Sequence, residues 1–499
     1  MAFSTVRTAF SSTTTAPLSS ALICRKTMKH FSTLFRFSSS LLSARSYNSL
    51  STRKSLTKTL SSSINHGAIT KSIHTSVPPK TAPWLSKTSP WLMLPPAFTR
   101  EGEMIYQFYV LGENRVMTLR RAGDQEFWAD DDYSILGSSH GWLFLFHKKS
   151  CDLILTNPLY GRHVRLPSIR TLPDITKRHL DRGFRSLHDV IISSSSPDDD
   201  DECRALVTFG PGQRLAFCCP NSSSVPLEWT LLGDKTHYDA CVYSAKQKLF
   251  FCFRDGYFDK DRRLEAWDLR DPHSPRMIPM PLSFDKNNYP IAYRSEQEYK
   301  RKDHRQIYDA ILLAVAEPTG QLFHVRRFTM DWVGPDGYYT KDEYYGPKIG
   351  IYTNPPYTTV GFDVHRYDPE TGSLVYMDRS LDGLALFIGS NNGFGLPAAD
   401  YPELKPDAIY YTEPPSWRYG GHHVDVYNYD AGIFNYRDET FAPCFYPVDV
   451  QSSVRVSGPK WFTPTPLVKF PFLVQNDDGT LSYGSSCSSI PPTKDHSQN

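Results

Sequence analysis

The clearest signal along the chain is a set of short apolar runs, each ending at a turn headed by Asn, Asp or Gly. Residues 142–146 form a compact aromatic and aliphatic run suited to a pleated, half-buried surface. A polar break at Lys148, Lys149 and Ser150 follows, and then Leu153, Leu155 and Thr156. Asn157, Pro158 and Gly161 supply a tight turn, because Pro fixes φ and Gly tolerates positive φ. Val164 and Leu166 alternate with His163 and Arg165, so a third strand returns. Three short antiparallel strands joined by turns make most of one propeller blade or sandwich corner. The unit recurs loosely around Asp271, around Asp368 and around Asp430. The four turn heads at 157, 271, 368 and 430 are 114, 97 and 62 residues apart. That is no strict period and implies divergent blades with insertions.

The remaining pattern agrees. Hairpins are expected over 104–119, around Gly112, and over 205–218, around Gly210 and Gly212. Residues 228–231 and 239–243 continue in strands, residues 307–316 read as a central strand, and residues 384–388 read as a strand ending in a turn at 390–393. The fold class expected is all-β, a β-propeller of about 6–8 divergent blades at about 45 residues per blade.

Composition changes this picture at the N-terminus. Residues 1–77 hold ten Lys or Arg and nineteen Ser, and the first acidic residue of the chain is Glu101. A Ser-rich, Arg-bearing, acid-free start is the composition of an organellar transit peptide, expected to be disordered. Arg45 resembles a mitochondrial processing site and residues 71–76 resemble a second trimming region, which favours the mitochondrion, with the chloroplast as the alternative. The organisation expected is a transit peptide over 1–77, a Pro-rich linker over 78–100 whose Trp91 segment docks on the domain, the propeller over 101–466 and a polar tail over 467–499. Of 55 Lys and Arg, the ten in the leader leave 45 against 53 acids in the body. A net-acidic body argues against nucleic-acid binding, which requires positive surface for phosphate contacts. No apolar run reaches the roughly 20 residues of a membrane-spanning helix. The nine cysteines include no C-x-x-C pair and read as buried thiols.

Candidate chemistry is sparse. Residues 137–141, Gly137-Ser138-Ser139-His140-Gly141, fit G-x-S-x-G, which makes Ser139 a candidate nucleophile. The hydrolase elbow needs a helix after the turn, and the run at 142–146 reads as strand. His422 and His423 are adjacent at the start of an expected strand, where neighbours point to opposite faces, and do not make a zinc site. The run from Asp198 to Glu202 lacks the spacing of a calcium loop and reads as a solvated loop. The loop at 210–212 lacks the ending of a phosphate cradle. Lys300, Arg301 and Lys302 are flanked by acids and read as an exposed face rather than an RNA patch. Residues 332–357, rich in Tyr, Gly and Pro, form a long connection of the kind that builds binding surfaces. No catalytic, cofactor-binding or metal residue is assigned, and no cofactor is expected.

Five motifs together carry a resemblance: residues 138–142, 157–163, 209–212, 380–383 and 404–412. They resemble the plant domain-of-unknown-function 295 family, with the closest likeness to its organellar branch, over residues 90–464. The resemblance implies a KIB-type β-propeller. Many members of that family carry an N-terminal F-box and act as substrate adaptors of ubiquitin ligases. Here a transit-like segment stands where the F-box would be, and the family supplies no catalytic residue. The function expected is a non-enzymatic mitochondrial propeller that presents a loop face to an organellar protein partner. The alternatives are a serine hydrolase using Ser139 and an organellar RNA-associated factor.

Overall fold

Short alternating strands joined by tight turns bury one set of side chains on each face, and the described residues repeat that plan six times. The computed structural model describes residues 89–98, 104–121, 133–147, 149–173, 175, 187–210, 212–223, 225–233, 237–255, 262–283, 307–331, 357–413, 430–444, 458–464, 473–475 and 481–483. All of them fall in one unit, and among them there is no α-helix, so none long and apolar enough to cross a membrane.

The first blade draws on both ends of the chain. Strands β1 (Trp91–Met93), β3 (Met104–Val110) and β4 (Arg115–Arg121) come from the N-terminal side. β26 (Lys460–Phe462) pairs antiparallel with β1 and stands as the blade's first strand. β2 (Ala97–Phe98), β27 (Leu473–Gln475) and β28 (Leu481–Tyr483) extend the same sheet. The next three blades are simple four-stranded meanders. Blade 2 is β5 (Tyr133–Ser139), β6 (Trp142–His147), β7 (Leu153–Asn157) and β8 (Arg162–Leu166). Blade 3 is β9 (Leu187–Ile192), β10 (Ala205–Phe209), β11 (Arg214–Cys218) and β12 (Thr230–Leu232). Blade 4 is β13 (Ala240–Ser244), β14 (Leu249–Arg254), β15 (Arg263–Asp268) and β16 (Arg276–Met280).

Blades 5 and 6 share one nine-stranded sheet. Blade 5 is β17 (Ile307–Ala316), β18 (Gln321–Asp331), β19 (Tyr357–Asp368) and β20 (Ser373–Tyr376). Blade 6 is β21 (Leu384–Ile388), β23 (Ala408–Tyr411), β24 (Gly432–Asn435) and β25 (Thr440–Ala442). The short strand β22 (Phe394–Pro397) joins the two, antiparallel to β21 and parallel to β17.

Six apolar clusters lie in the six seams between neighbouring blades. In blade 2 the strand alternation sends Leu143 and Leu145 into the seam with blade 1, and Trp142, Phe144 and Phe146 into the seam with blade 3. Ile191 and Leu206 meet Tyr243 and Phe250 between blades 3 and 4. Phe251 and Val242 meet Val315 and Leu322 between blades 4 and 5, and Phe323 and Val325 meet Ile388 and Ile409 between blades 5 and 6. The last seam closes the ring: Leu92 and Tyr109 of blade 1 pack with Phe387 and Tyr410 of blade 6 around Trp461. The Trp461 ring stands edge-on to Phe387 and Tyr410, with centroids 5.0 and 5.7 Å away. Each fully buried Leu or Phe is worth about 1.5–3 kcal/mol. A seam of such residues therefore holds two blades together without any specific polar contact.

The all-β propeller expectation is met, with six blades among the described residues. Trp91 lies in β1, a strand inside blade 1 paired with β3 and β26. The strands β5, β9 and β26 complete blades that sequence reading left with three strands or fewer.

Candidate functional site at the hub

The first strands of the blades converge on the hub, and one turn crosses it. Residues 389–393, between β21 and β22, reach blades 2, 4 and 5 from blade 6. Ser138 N–H donates to the Ser390 carbonyl at 3.2 Å, and Asn392 N–H donates back to the Ser138 carbonyl at 3.0 Å. Tyr243 N–H of blade 4 donates to Asn392 Oδ1 at 3.2 Å, and Val315 N–H of blade 5 donates to the Gly393 carbonyl at 3.1 Å. Close approach explains two of the glycines. A Cβ on Gly137 would lie 2.8 Å from the Ser390 oxygen, and a Cβ on Gly393 would lie 2.0 Å from the Leu313 oxygen.

Beside this turn lies a small cleft of about 20 Å³. Its walls come from four blades: Leu136 and Gly137, residues 188–191, Cys241, and residues 390–392. A β-bulge in blade 3 turns both His188 and Asp189 toward it: Phe209 pairs with Leu187 and Thr208 with Asp189, which leaves His188 as the extra residue. His188 Nε2 lies 3.0 Å from the Gly210 carbonyl, and burial holds its pKa below the usual value. Burial pushes the Asp189 carboxyl up to about 6. No hydrogen bond or ion pair from the described residues reaches that carboxylate. The Asn391 side-chain NH₂ donates to the carbonyls of Phe387 (3.3 Å) and Asn392 (3.0 Å), and Asn391 Oδ1 is buried with no partner among the described residues.

Ser139 sits at the end of β5, 4 % exposed, where His140 and Gly141 form the hairpin turn into β6. Their φ values of 50° and 81° are those of a type I′ turn. Ser139 Oγ lies 2.8 Å from His140 Nδ1, and burial lowers the His140 pKa to about 4. A strand follows the turn, so the helix that gives a nucleophile elbow its oxyanion donors has no place here. The neighbouring Ser138 hydroxyl donates to the Trp461 carbonyl at 2.5 Å and ties blade 2 to blade 1.

The other motifs serve as turn clasps. Asn157 Oδ1 accepts from the N–H of Leu159 (3.1 Å) and Tyr160 (3.3 Å). Asp407, 2 % exposed, accepts from the N–H of Leu381 (2.7 Å) and Gly383 (3.1 Å), and pairs with Arg437 at 2.7 Å. In the acidic run, Asp198 and Asp199 pair with Arg162 at 2.7 and 2.6 Å. Seven cysteines are described; all are buried and free. His422, His423, residues 300–302 and most of 332–357 lie outside the described residues. Among the described residues no group of three His, Cys, Asp or Glu is placed to hold a metal ion.

Further buried polar groups lie on β18, among them Arg327 and His324 with Arg326 and Thr329 beside them. Arg327, on the blade 6 side, donates to Thr359 Oγ1 (2.8 Å), to the Thr412 carbonyl and to Asp430 Oδ2 (2.9 Å). His324, on the blade 4 side, is 3 % exposed and neither ring nitrogen has a partner among the described residues. Its ring stands against Phe253 (4.7 Å) and against His365, its cross-strand neighbour (5.8 Å).

Six four-stranded blades among the described residues, closed by a shared first blade and crossed at the hub by one turn, define a β-propeller. Residues 108–435 match the family model of the KIB1-4 beta-propeller, and the chain belongs to that family. No curated protein matches it in sequence. Among solved structures, a chain of the nidogen/laminin complex is 10 % identical with a TM-score of 0.25, over 57 % of this chain and 92 % of that one. A gluconolactonase from Xanthomonas campestris is 11 % identical with a TM-score of 0.24, over 51 % and 75 %. The Cps50 (Swd1) propeller domain of Myceliophteria thermophila is 11 % identical with a TM-score of 0.24, over 58 % and 87 %. Likenesses this loose carry no argument about function.

Proposed function

We propose that this chain is a non-enzymatic interaction propeller that works in the mitochondrion and presents its hub and loop face to a protein partner. The observation that carries the reading is the closed six-bladed ring of the KIB1-4 family. Its recurring motifs are used up as clasps, at Asn157 and Asp407, and as the turn that crosses the hub. The acid-free leader over 1–77 supports the compartment, and the chloroplast is the alternative. The test is to tag the C-terminus, isolate intact mitochondria, and identify the mature N-terminus and the co-purifying proteins by mass spectrometry. A start between residues 48 and 80 with one near-stoichiometric partner is expected. An intact Met1 found with ubiquitin-ligase subunits would restore the adaptor role of other members of the resembling family.

A second reading rests on the contact between Ser139 and His140, which pairs a hydroxyl with a base. If that pair were catalytic, a fluorophosphonate probe would label Ser139 in the folded protein and S139A would lose the label. We expect no labelling, because the hydroxyl is buried in a hairpin turn.

A further inference from the structure

We infer that Cys241 and Cys252 form a modification site, which hydrogen peroxide oxidises to a cross-strand disulfide. The two residues face each other across β13 and β14, in the seam between blades 3 and 4. Tyr243, two residues after Cys241, turns its N–H away from β14 and donates it to Asn392 Oδ1. Strand alternation turns the Cys241 main chain the same way. Cys241 and Cys252 are therefore a non-hydrogen-bonded pair, the kind whose Cα atoms lie about 4.5 Å apart and whose side chains stand closest. The next such pair, Tyr243 and Phe250, has ring centroids 4.7 Å apart. A disulfide needs Cα atoms about 4.4–6.8 Å apart, so this one needs no movement of the backbone. The two thiols already share a hydrogen bond. Among the described residues no other cysteines are directly opposed in a ladder: Cys218 faces Ala205, and Cys218 and Cys219 point into different seams. The pair is also asymmetric. Cys241 lines the hub cleft and is 8 % exposed, while Cys252 is 0 % exposed. A cleft of about 20 Å³ admits a molecule little larger than water, which suits hydrogen peroxide and excludes glutathione.

The chemistry balances. The Cys241 thiolate attacks one peroxide oxygen, the O–O bond breaks, and the departing hydroxide takes up the proton that Cys241 released. The Cys252 sulfur then attacks the sulfenic acid, the S–O bond breaks, and hydroxide leaves with the Cys252 proton as a second water. Two thiols are oxidised and one peroxide is reduced. Burial, with Cys252 adding to it, holds the Cys241 thiol well above its usual pKa. The reaction is therefore slow at pH 7 and speeds up as pH rises.

The experiment treats the reduced, folded full chain with hydrogen peroxide at pH 7 and pH 8, then alkylates the remaining thiols in denaturant. Trypsin cleaves at Lys246 and Lys248, between the two cysteines, so the bridge shows in mass spectrometry as two joined peptides that dithiothreitol separates. The expected result is a bridge between Cys241 and Cys252 that forms about tenfold faster at pH 8 than at pH 7, and much more slowly with glutathione disulfide. In C252S the bridge is lost and dimedone should trap Cys241 as the sulfenic acid. Both thiols remaining alkylatable, bridges to other cysteines forming as readily, or equal rates with glutathione disulfide would overturn the inference. Should C252S fail to fold, the bridged peptides and the two oxidants on the unaltered protein still decide.

Discussion

Strand β18 buries basic side chains on both faces, Arg327 toward blade 6 and His324 with Arg326 toward blade 4, and it treats Arg327 and His324 oppositely. Toward blade 6, Arg327 is 0 % exposed, and its guanidinium spends its donors on Thr359, Thr412 and Asp430 while lying 5.0 Å from the Tyr411 ring. Toward blade 4, His324 is equally enclosed but has aromatic neighbours and no hydrogen bond among the described residues. The difference lies in what each seam does with charge. A paired cation can remain ionised in an apolar seam. An unpaired imidazole must remain neutral, and burial, with His365 adding to it, lowers the His324 pKa well below its usual value. Burial likewise lowers His365 to about 4. The seam between blades 5 and 6 is therefore secured by its polar contacts, and the seam between blades 4 and 5 is exposed to acid.

Substitution tests this contrast. The largest effect expected is from R327M, which strands Asp430 and should lower stability by about 3–5 kcal/mol in urea denaturation. H324L should act in the other direction, raising stability by about 1–3 kcal/mol because it removes buried ring nitrogens without partners. Its gain should be larger at pH 5 than at pH 7. Between the unfolded value near 6.5 and the depressed folded value, the unfolded chain binds the extra proton, and the native state loses stability as pH falls. D189N has the opposite pH dependence. The folded carboxyl titrates at about 6, above its unfolded value, so its ionisation penalty is fully present above pH 6 and disappears as pH falls through the carboxylate range. The gain from D189N should therefore be larger at pH 7 than at pH 4. The smallest effect is from S138A, which removes one hydrogen bond between blades 1 and 2 and should cost about 1 kcal/mol.

These groups also mark where the sequence was legible. The hairpins at 104–119 and 205–218 and the strand at 384–388 could be read because apolar alternation, or a glycine turn, announced them, while the returning strand β22 was not read. β17 was legible as a central strand from its length and apolarity. β18 and β19 run to 331 and back to 357, well beyond the apolar runs at 321–325 and 361–367. The polar His324, Arg326 and Arg327 broke the alternation, and only the neighbouring blades explain their burial. β1 and β26 are three residues each, too short to show a period, and are defined by pairing with each other across some 370 residues. β9 was hidden by its bulge at His188. The hub cleft could not be read at all, since its walls come from four blades and from positions 136 to 392. Asn391 and Asn392 were legible as a turn, but nothing in that turn's sequence said that it crosses the hub.

Hydrogen–deuterium exchange on the full chain at pH 7 and pH 5, corrected for intrinsic rates, tests the contrast between the two seams most directly. Acidification should loosen the segments that flank the blade 4–5 seam, residues 249–254 and 373–376, while residues 384–388 and 408–411 of the blade 5–6 seam keep their protection. Equal loosening of both seams, or earlier loosening at 384–388 and 408–411, would contradict the account.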